Sequence, residues 1–186
     1  MSDTYISDLT FDKSSIIQKG EYENCVFLAC NFSELDLSDI KFIDCLFQEC
    51  NLSLALLNKT VFREVAFKNC KLIGLRFESC HSFGLSFTFE ECQLNNSSFY
   101  QLKIKNTVFK YSQLKEVDFS ESDLTNALFE SCDLMMATFE HTILEKTDFR
   151  TSFNYILNPE INKLKGAKFS TLGLSGLLTK YNIEIE

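Results

Sequence analysis

A large apolar residue returns at every fifth position along most of this chain, and this period limits the fold more than any other feature. The first row runs from Tyr22 to Phe77 and the second from Leu94 to Phe149. All 24 positions are aromatic or aliphatic, and only Tyr22 and Ile104 are neither Phe nor Leu. A fixed period indicates a repeat architecture, which has to be recognised before single elements are assigned.

Neither a helix nor a flat strand can use a period of five. On a helix, successive repeats would be spread around the axis, and in a strand every second repeat would face the wrong side. The residue two positions before each large one is small at twenty of the 24 repeats, the exceptions being Leu35, Ile40, Leu75 and Leu102. We therefore expect the small and the large residue to point inward from a short extended segment, with a corner after it.

Four such segments close most simply into a square coil, in which four repeats make one turn. Stacked coils lie about 4.8 Å apart, so residues four repeats apart should form columns. The sequence agrees, because like residues recur at this spacing and two opposite walls of the second half are pure Phe. The predicted core ladder comprises Phe27, Phe47, Phe67, Leu94, Phe99, Phe109, Leu114, Phe119, Phe129, Leu134, Phe139 and Phe149.

Several segments resemble the repeat of the pentapeptide-repeat family, which reads roughly A(D/N)LXX. They are Ser122–Asn126, Cys132–Leu134, Cys30–Ser33 and Cys50–Ser53. The resemblance covers about residues 20–150. It implies an all-β fold, a right-handed quadrilateral β-helix, and the handedness comes from the family and not from the spacing.

The departures from the period divide the chain into three parts. Residues 1–19 are expected to form an N-terminal cap, residues 20–170 the β-helix, and residues 171–186 a short helix followed by a strand. Two extra residues fall within 79–92. The segment 151–166 contains the only proline and is expected to be a loose coil or loop, with Asn154, Tyr155, Glu160 and Lys163 at its surface.

All eight cysteines fall at the small inward position of the repeat. A buried free thiol there behaves as a small hydrophobe, so we expect no disulfide, no metal site and a reduced, cytoplasmic protein. The two histidines, His81 and His141, have no nucleophile arranged beside them, and we expect no catalytic residue and no cofactor. The chain shows no apolar stretch long enough to cross a membrane.

The last segment has a helical pattern in place of the five-residue period. Its apolar residues are spaced as on one face of a helix, and the following Ile183–Glu186 alternates like a strand. Pentapeptide-repeat proteins of the Qnr quinolone-resistance type are similar here, which implies a tail-to-tail homodimer; a simple cap over the last coil is the alternative. The expected interface is formed by Leu174, Leu177, Leu178, Tyr181, Ile183 and Ile185.

The net charge of −8 disfavours direct binding of nucleic acid but suits an acidic surface presented to a protein that binds it. Asp118, Glu121 and Glu140 form a predicted acidic patch on one wall. Resemblance to the Qnr type implies a DNA mimic that binds DNA gyrase or topoisomerase IV. Coils about 4.8 Å apart would give a rod of about 40 Å, and a dimer of about 80 Å would match roughly 23 base pairs.

A second hypothesis is a general scaffold for an unknown protein partner. It rests on apolar residues at outward positions, since exposed apolar patches often mark contacts. Four of them share one wall, Val26, Leu28, Leu46 and Ala66, and others are expected elsewhere, at Val108, Leu128, Met135 and Met136.

Overall fold

The computed structural model describes residues 4–13 and 16–184, and its backbone winds as a parallel β-solenoid. The strands are short because a corner follows each of them. They are β1 Thr4–Ser7, β2 Thr10–Phe11, β3 Gly20–Glu23, β4 Val26–Leu28, β5 Lys41–Ile43, β6 Leu46–Gln48, β7 Val61–Arg63, β8 Val65–Lys68, β9 Phe87–Glu90, β10 Val108–Lys110 and β11 Leu128–Glu130. Strands β1, β3, β5 and β7 form one sheet and the other seven form a second.

Every paired strand is parallel to its neighbour, and the register follows the predicted spacing. Phe27 pairs with Phe47 and Phe47 with Phe67, four repeats further along each time. Single bridges continue the same register on the sides of the coil that have no named strand. The predicted four-sided β-solenoid is therefore confirmed.

We name the four walls A to D in chain order, so that A faces C and B faces D. Wall A is lined by Tyr22, Phe42, Phe62, Ile104, Leu124, Leu144 and Leu164; wall B by Phe11, Phe27, Phe47, Phe67, Phe89, Phe109, Phe129, Phe149 and Phe169; wall C by Phe32, Leu52, Leu72, Leu94, Leu114 and Leu134; and wall D by Leu37, Leu57, Phe77, Phe99, Phe119 and Phe139. All twelve residues of the predicted core ladder are buried.

Wall B carries a continuous stack of nine phenylalanine rings. Neighbouring ring centroids lie 4.6 to 5.4 Å apart, with interplanar angles of 20° or less. The stack begins at Phe11, because β1 and β2 pair with β3 and β4 as one more rung before the first regular coil. It ends at Phe169, which keeps the expected position four repeats after Phe149.

Most corner residues adopt the left-handed backbone conformation although they are not glycine. Among the described residues, 25 non-glycine residues have φ between 50° and 62°, almost all of them two positions after a large inward residue. Such a conformation is strained for most side chains. Most corner N–H groups donate to a carbonyl of the next coil, as Glu34 N–H does to Ser53 O at 2.9 Å, which helps to offset the strain.

The Asp or Asn that precedes the large residue in the repeat signature stabilises the turn after it by a side-chain hydrogen bond. Asp118 Oδ1 accepts the backbone N–H of Ser120 at 2.9 Å, and Asp123 Oδ1 accepts that of Thr125 at 3.1 Å. Similar bonds follow Asn31, Asp36, Asn51, Asp133 and Asp148. The outward side chain thus shapes the turn that follows it.

The two extra residues lie in the loop between His81 and Phe87. The N–H of His81 still donates to Thr60 O in the normal register of four repeats, whereas Val65 pairs with Phe87, two positions beyond that register. A short 3₁₀ turn, Phe77–Ser79, comes before the loop. At this rung, residues 81–86 supply neither a strand nor a fully buried side chain to wall A.

The last coil is closed by a helical cap. It consists of a 3₁₀ turn Thr171–Gly173, the helix α1 Ser175–Leu178 and a 3₁₀ turn Thr179–Tyr181. The side chain of Ser170 accepts the N–H of Gly173 at 3.2 Å, as expected for a helix N-cap. The expected short C-terminal helix is thus present, although it is broken into three pieces.

Tyr155 was predicted at the surface, and this prediction is wrong. Asn154 takes the left-handed corner conformation, so the next residue, Tyr155, turns into the open end of the core and is buried. The cap then lies directly on it, since a Cβ at Gly173 would fall 1.8 Å from Tyr155 Oη and one at Gly176 would fall 2.1 Å from Tyr155 O. Only glycine permits this approach.

Two further details differ from the sequence analysis. Leu35 was expected to point inward, but it is exposed. It lies on the first regular rung of wall D, and the β-bridge of this rung, between Asp36 and Leu56, joins it to the following coil only. The predicted strand after the cap is not formed at Ile183 and Glu184, which have no partner strand in the described chain. Ile185 lies outside the described residues.

Candidate interaction surfaces

The outer faces of walls A, B and C are largely neutralised by ion pairs between neighbouring coils. Lys68 contacts Glu90 at 3.3 Å on wall B, and Lys110 contacts Glu130 at 3.3 Å on the same wall. Comparable pairs on walls A and C are Lys41–Glu21, Lys105–Asp123 and Lys115–Asp133. These exposed pairs contribute little stability individually, but they leave little unbalanced charge on three walls.

Wall D differs, because acidic side chains there outnumber basic ones. With its two corners it presents eight carboxylates between Glu34 and Glu140, and only Lys59 and Arg76 among basic residues in that span. This acidic face therefore carries most of the net charge of −8. Its carboxylates are those of Glu34, Asp36, Asp39, Glu78, Glu116, Asp118, Glu121 and Glu140.

The three residues of the predicted acidic patch lie together on two adjacent coils of this face. The N–H of Glu121 donates to the carbonyl of Glu140 at 2.7 Å, and Asp118 forms a bridge with Thr138 on the same coil as Glu140. None of the three forms an ion pair with a Lys or Arg among the residues described. Their charge is available to a partner.

Local hydrogen bonds hold Asp118 and Glu121 in place and favour the ionised form of Glu121. Gln101 Nε2 donates to Glu121 Oε2 at 2.8 Å, and Tyr100 Oη donates to Glu121 Oε1 at 3.1 Å. These two bonds, with the Gln101 bond foremost, lower the pKa of Glu121. Thr138 Oγ1 donates to Asp118 Oδ1 at 3.3 Å.

Five of the eight outward apolar residues stand in one column on wall B, although Val108 and Leu128 were expected on another surface. Met135 and Met136 lie elsewhere, as expected, since they follow Leu134 of wall C. Val26, Leu46 and Ala66 stand in register on wall B. Thr88 follows in the same column, and Val108 and Leu128 continue it. The two inserted residues shift the five-residue repeat by two positions after the loop. For this reason the linear sequence does not show that Val108 and Leu128 belong to the same column as Val26, Leu46 and Ala66. Because neighbours in the column cover each other, these five residues are only partly exposed.

The cap exposes several of the residues predicted for the dimer interface. Leu174, Tyr181 and Ile183 are about half exposed, while Leu178 is partly buried and Leu177 packs against the core. A groove of about 640 Å³ runs between the cap and the last coil. Exposed apolar side chains around it are Met135, Phe153, Ile156 and Leu172.

The groups that usually carry catalysis are placed apart. His81 lies in the inserted loop and His141 at a corner of wall D, both exposed. The eight thiols are free and buried, and burial raises the pKa of Cys30 to about 12 and that of Cys132 to about 11. In the described segments, no group of three or more His, Cys, Asp or Glu side chains is arranged to hold a metal ion.

Comparison with known families agrees with the geometry. A family model described as a pentapeptide repeat region matches residues 15–88 and 85–153. The chain belongs to the pentapeptide-repeat family. No curated protein matches its sequence, and no helix of the described chain has the length and apolarity needed to cross a membrane.

Solved structures of other pentapeptide-repeat proteins share the fold. Full-length QnrB1, a plasmid-mediated fluoroquinolone resistance protein, superposes with a TM-score of 0.56 at 17% identity, covering 97% of this chain and 100% of QnrB1. HetL from the cyanobacterium Nostoc, which is involved in the regulation of heterocyst differentiation, gives a TM-score of 0.56 at 13% identity, covering 90% and 85%. At these identities the likeness concerns the fold alone.

Sequence reasoning found only part of the acidic face of this pentapeptide-repeat protein. Glu34, Asp36, Asp39, Glu78 and Glu116 were not assigned to it. The signal was present, because four of them share a column with an acidic residue of the second block once the two inserted residues are counted. Glu34 shares the column of Glu116, Asp36 that of Asp118, Asp39 that of Glu121 and Glu78 that of Glu140. The chain therefore segregates its charge by wall, which the linear order of residues conceals.

Proposed function

We propose that this protein is a non-enzymatic interaction protein that binds a type II topoisomerase, DNA gyrase or topoisomerase IV, at the surface that otherwise holds DNA. Binding there would modulate sensitivity to quinolones. The observation that carries the proposal is the concentration of carboxylates on wall D, where Asp118, Glu121 and Glu140 form no ion pair with a described residue. A positively charged DNA-binding surface attracts such a face as it attracts phosphate.

The shape of the solenoid supports the same function. A rod with rungs about 4.8 Å apart displays carboxylates along a straight line, and double-stranded DNA likewise presents a line of negative charge. Glu116, Asp118, Glu121 and Glu140 occupy two successive coils of this line. The related fold of QnrB1, a fluoroquinolone resistance protein, is a further reason to examine gyrase first.

We further propose a homodimer formed through the cap, which would double the length of the acidic face. The exposed apolar side chains of Leu174, Tyr181 and Ile183 would be covered by the second copy. Ile183 and Ile185 would then gain the strand partner that a single chain does not provide. Sedimentation at about ten micromolar should give twice the monomer mass, and a monomer there would refute this part of the proposal.

The buried thiols support a cytoplasmic location. Eight free cysteines are most compatible with a reducing compartment, where thiols remain unpaired. Type II topoisomerases act on chromosomal DNA, so the proposed partner is present in the same compartment.

Supercoiling of relaxed plasmid by purified gyrase tests the proposed function. The wild-type chain should inhibit supercoiling, or relieve its inhibition by a quinolone, at near-stoichiometric concentration. The triple variant Asp118→Lys, Glu121→Lys and Glu140→Lys should lose at least about tenfold in potency, since charge reversal at a complementary surface weakens binding strongly.

A control variant separates the acidic face from overall charge. Glu49→Lys, Glu64→Lys and Glu91→Lys together change the net charge equally but lie at exposed corners away from wall D. This variant should keep most of the activity. Equal loss in both variants, or no effect of the wild-type chain at excess, would exclude the proposed function.

The apolar stripe on wall B favours a second candidate function, a scaffold for another protein. Its carrying observation is the register of Val26, Leu46, Ala66, Val108 and Leu128 along one face. Substitution of Leu46 by Lys should then remove partners recovered with the wild-type chain from a lysate. Unchanged partners would argue against this surface.

A further inference from the structure

A cleft on wall A is bounded by the inserted loop, which replaces one rung of the sheet. The loop backbone lies against an arginine side chain, since a Cβ at Gly84 would fall 3.3 Å from Arg63 Nε. Gly84 has a φ of 74°, a conformation that glycine adopts readily. Phe83, the preceding residue, is 74% exposed, more than any other phenylalanine in the described chain.

The cleft has a volume of about 610 Å³ and a surplus of basic groups. It is lined by Glu21, Asp39, Lys41, Ile43, Lys59, Val61, Arg63 and His81. Lys41 is occupied by Glu21 at 3.1 Å. Lys59 and Arg63 form no ion pair with any described residue, unlike the lysines of the inter-coil ladders.

His81 adds a third donor to the cleft. The backbone N–H of Phe83 donates to His81 Nδ1 at 3.3 Å. In the neutral imidazole, an accepting Nδ1 leaves the proton on Nε2. His81 therefore presents an N–H donor while its ring is held by the loop, and Lys59, Arg63 and His81 together offer donors to an anion.

We propose that this cleft binds a short peptide segment of a partner protein that carries one or two carboxylates, with an apolar residue of that segment packing on Phe83. An exposed aromatic beside a charged cleft is a common anchor in protein interfaces. Asp39 and Glu21 lie in the cleft and the acidic face adjoins it, so an extended polyanion such as nucleic acid is repelled. A short segment with one or two carboxylates matches the surplus of basic groups in the cleft. The inference does not rest on the topoisomerase proposal, which is carried by Asp118, Glu121 and Glu140, although Asp39 and Lys59 lie at the corner shared by wall D and the cleft.

Titration of the isotopically labelled full chain with the peptide acetyl-Glu-Phe-Glu-amide, followed by NMR, tests this proposal. We expect saturable shifts confined to the cleft, in residues 39–43, 59–63 and 81–86 and at Glu21. Lys59→Glu and Phe83→Ser should each weaken binding at least about fivefold. Lys59→Glu should fold normally, because Glu121 occupies the same corner column with a φ of 57° and Lys59 has 59°.

The matched control is Lys103→Glu, which should leave binding unchanged. Lys103 is an exposed lysine on wall A beyond the loop, with no ion-pair partner among the described residues. The Gln-Phe-Gln analogue should not bind. The proposal is overturned if the acidic peptide gives no saturable shifts at millimolar concentration, or if Lys103→Glu weakens binding as much as Lys59→Glu. It is also overturned if a thymidine decanucleotide binds the cleft more tightly than the peptide, or if Lys59→Glu lowers the sedimenting mass of the chain alone, which would make a second copy the occupant.

Discussion

The ring of Phe87 lies 5.7 Å from that of Phe62, and this contact closes the core where the period breaks. Phe62 is the last aromatic residue of wall A, and the loop that follows supplies no fully buried side chain. Phe87 occupies the inner slot that is normally small and also packs 5.3 Å from Phe77, the first aromatic residue of wall D. One side chain thus connects the aromatic columns of the two halves.

Replacing Phe87 by alanine should therefore destabilise the fold much more than replacing Phe83, although the two are close in the chain. Phe87 is buried and Phe83 is exposed. We expect a loss of about 3–5 kcal/mol for Phe87→Ala and less than about 0.5 kcal/mol for Phe83→Ala. Equilibrium unfolding in urea measures both, and similar losses would show that the loop is packed differently.

A central column makes a second comparison. Phe119 is fully buried between the stacked rings of Phe99 and Phe139, whereas Glu121, at the corner that follows, is exposed. Phe119→Ala should cost about 3–5 kcal/mol of unfolding free energy, and Glu121→Gln less than about 0.5 kcal/mol. A large effect at Glu121 would contradict the assignment of inside and outside.

Corner strain predicts a stabilising substitution. Met136 has a φ of 59° and is largely exposed, so its side chain gains little from packing. Asn tolerates this backbone region better than Met, and β-branched residues tolerate it worst. Met136→Asn should raise stability by up to about 1 kcal/mol, and Met136→Val should lower it by about 1–2 kcal/mol. Thermal unfolding of both variants tests the order, and the reverse order would refute the strain argument.

The buried thiols predict low reactivity and a loss of stability in alkali. Native protein should expose none of its eight thiols to a disulfide reagent, and unfolded protein all of them. Burial raises the pKa of Cys45 and Cys132 to about 11, whereas an unfolded thiol ionises near about 8.5. Because ionisation of these two thiols then favours the unfolded chain, their contribution to stability is full below about pH 8.5. It is lost as pH rises towards about 11, by up to about 1.4 kcal/mol per pH unit for each of the two.

Cys132→Ser provides the control for this titration. Serine is accepted in the same inner column at Ser112 and Ser152, where Ser152 Oγ donates to Phe129 O at 2.8 Å. The variant should fold and lose stability less steeply above about pH 8.5. An identical slope would mean that Cys132 does not contribute to the alkaline transition.

The architecture could be read from the sequence because each rung repeats the same local rule. A small residue, a large residue and a corner specify one side of the coil, and the columns of like residues four repeats apart specify the stacking. The positions of Phe87 and Tyr155 could not be read in this way. Each fills a space left by a neighbouring irregularity, at Gly84 and Asn154 respectively, and such compensation depends on three-dimensional packing.

The candidate surfaces were predictable only in part for a related reason. Asp118, Glu121 and Glu140 lie in one uninterrupted block of repeats, so their positions in the repeat placed them on the same wall in the sequence analysis. The acidic residues before the loop, the continuity of the column on wall B and the cleft at Arg63 all depend on the location of the two extra residues. Glu116 does not, since it lies in the same block as Asp118. An insertion of this length changes which outward side chains share a wall.

Competition between this protein and DNA for gyrase is the most direct test of the account. Gyrase bound to a fluorescent DNA duplex should release it as the wild-type chain is added, and the Asp118→Lys, Glu121→Lys and Glu140→Lys variant should release it at least about tenfold less effectively. If the wild-type chain binds gyrase while the DNA stays bound, or does not bind gyrase at all, the acidic face does not act in place of DNA.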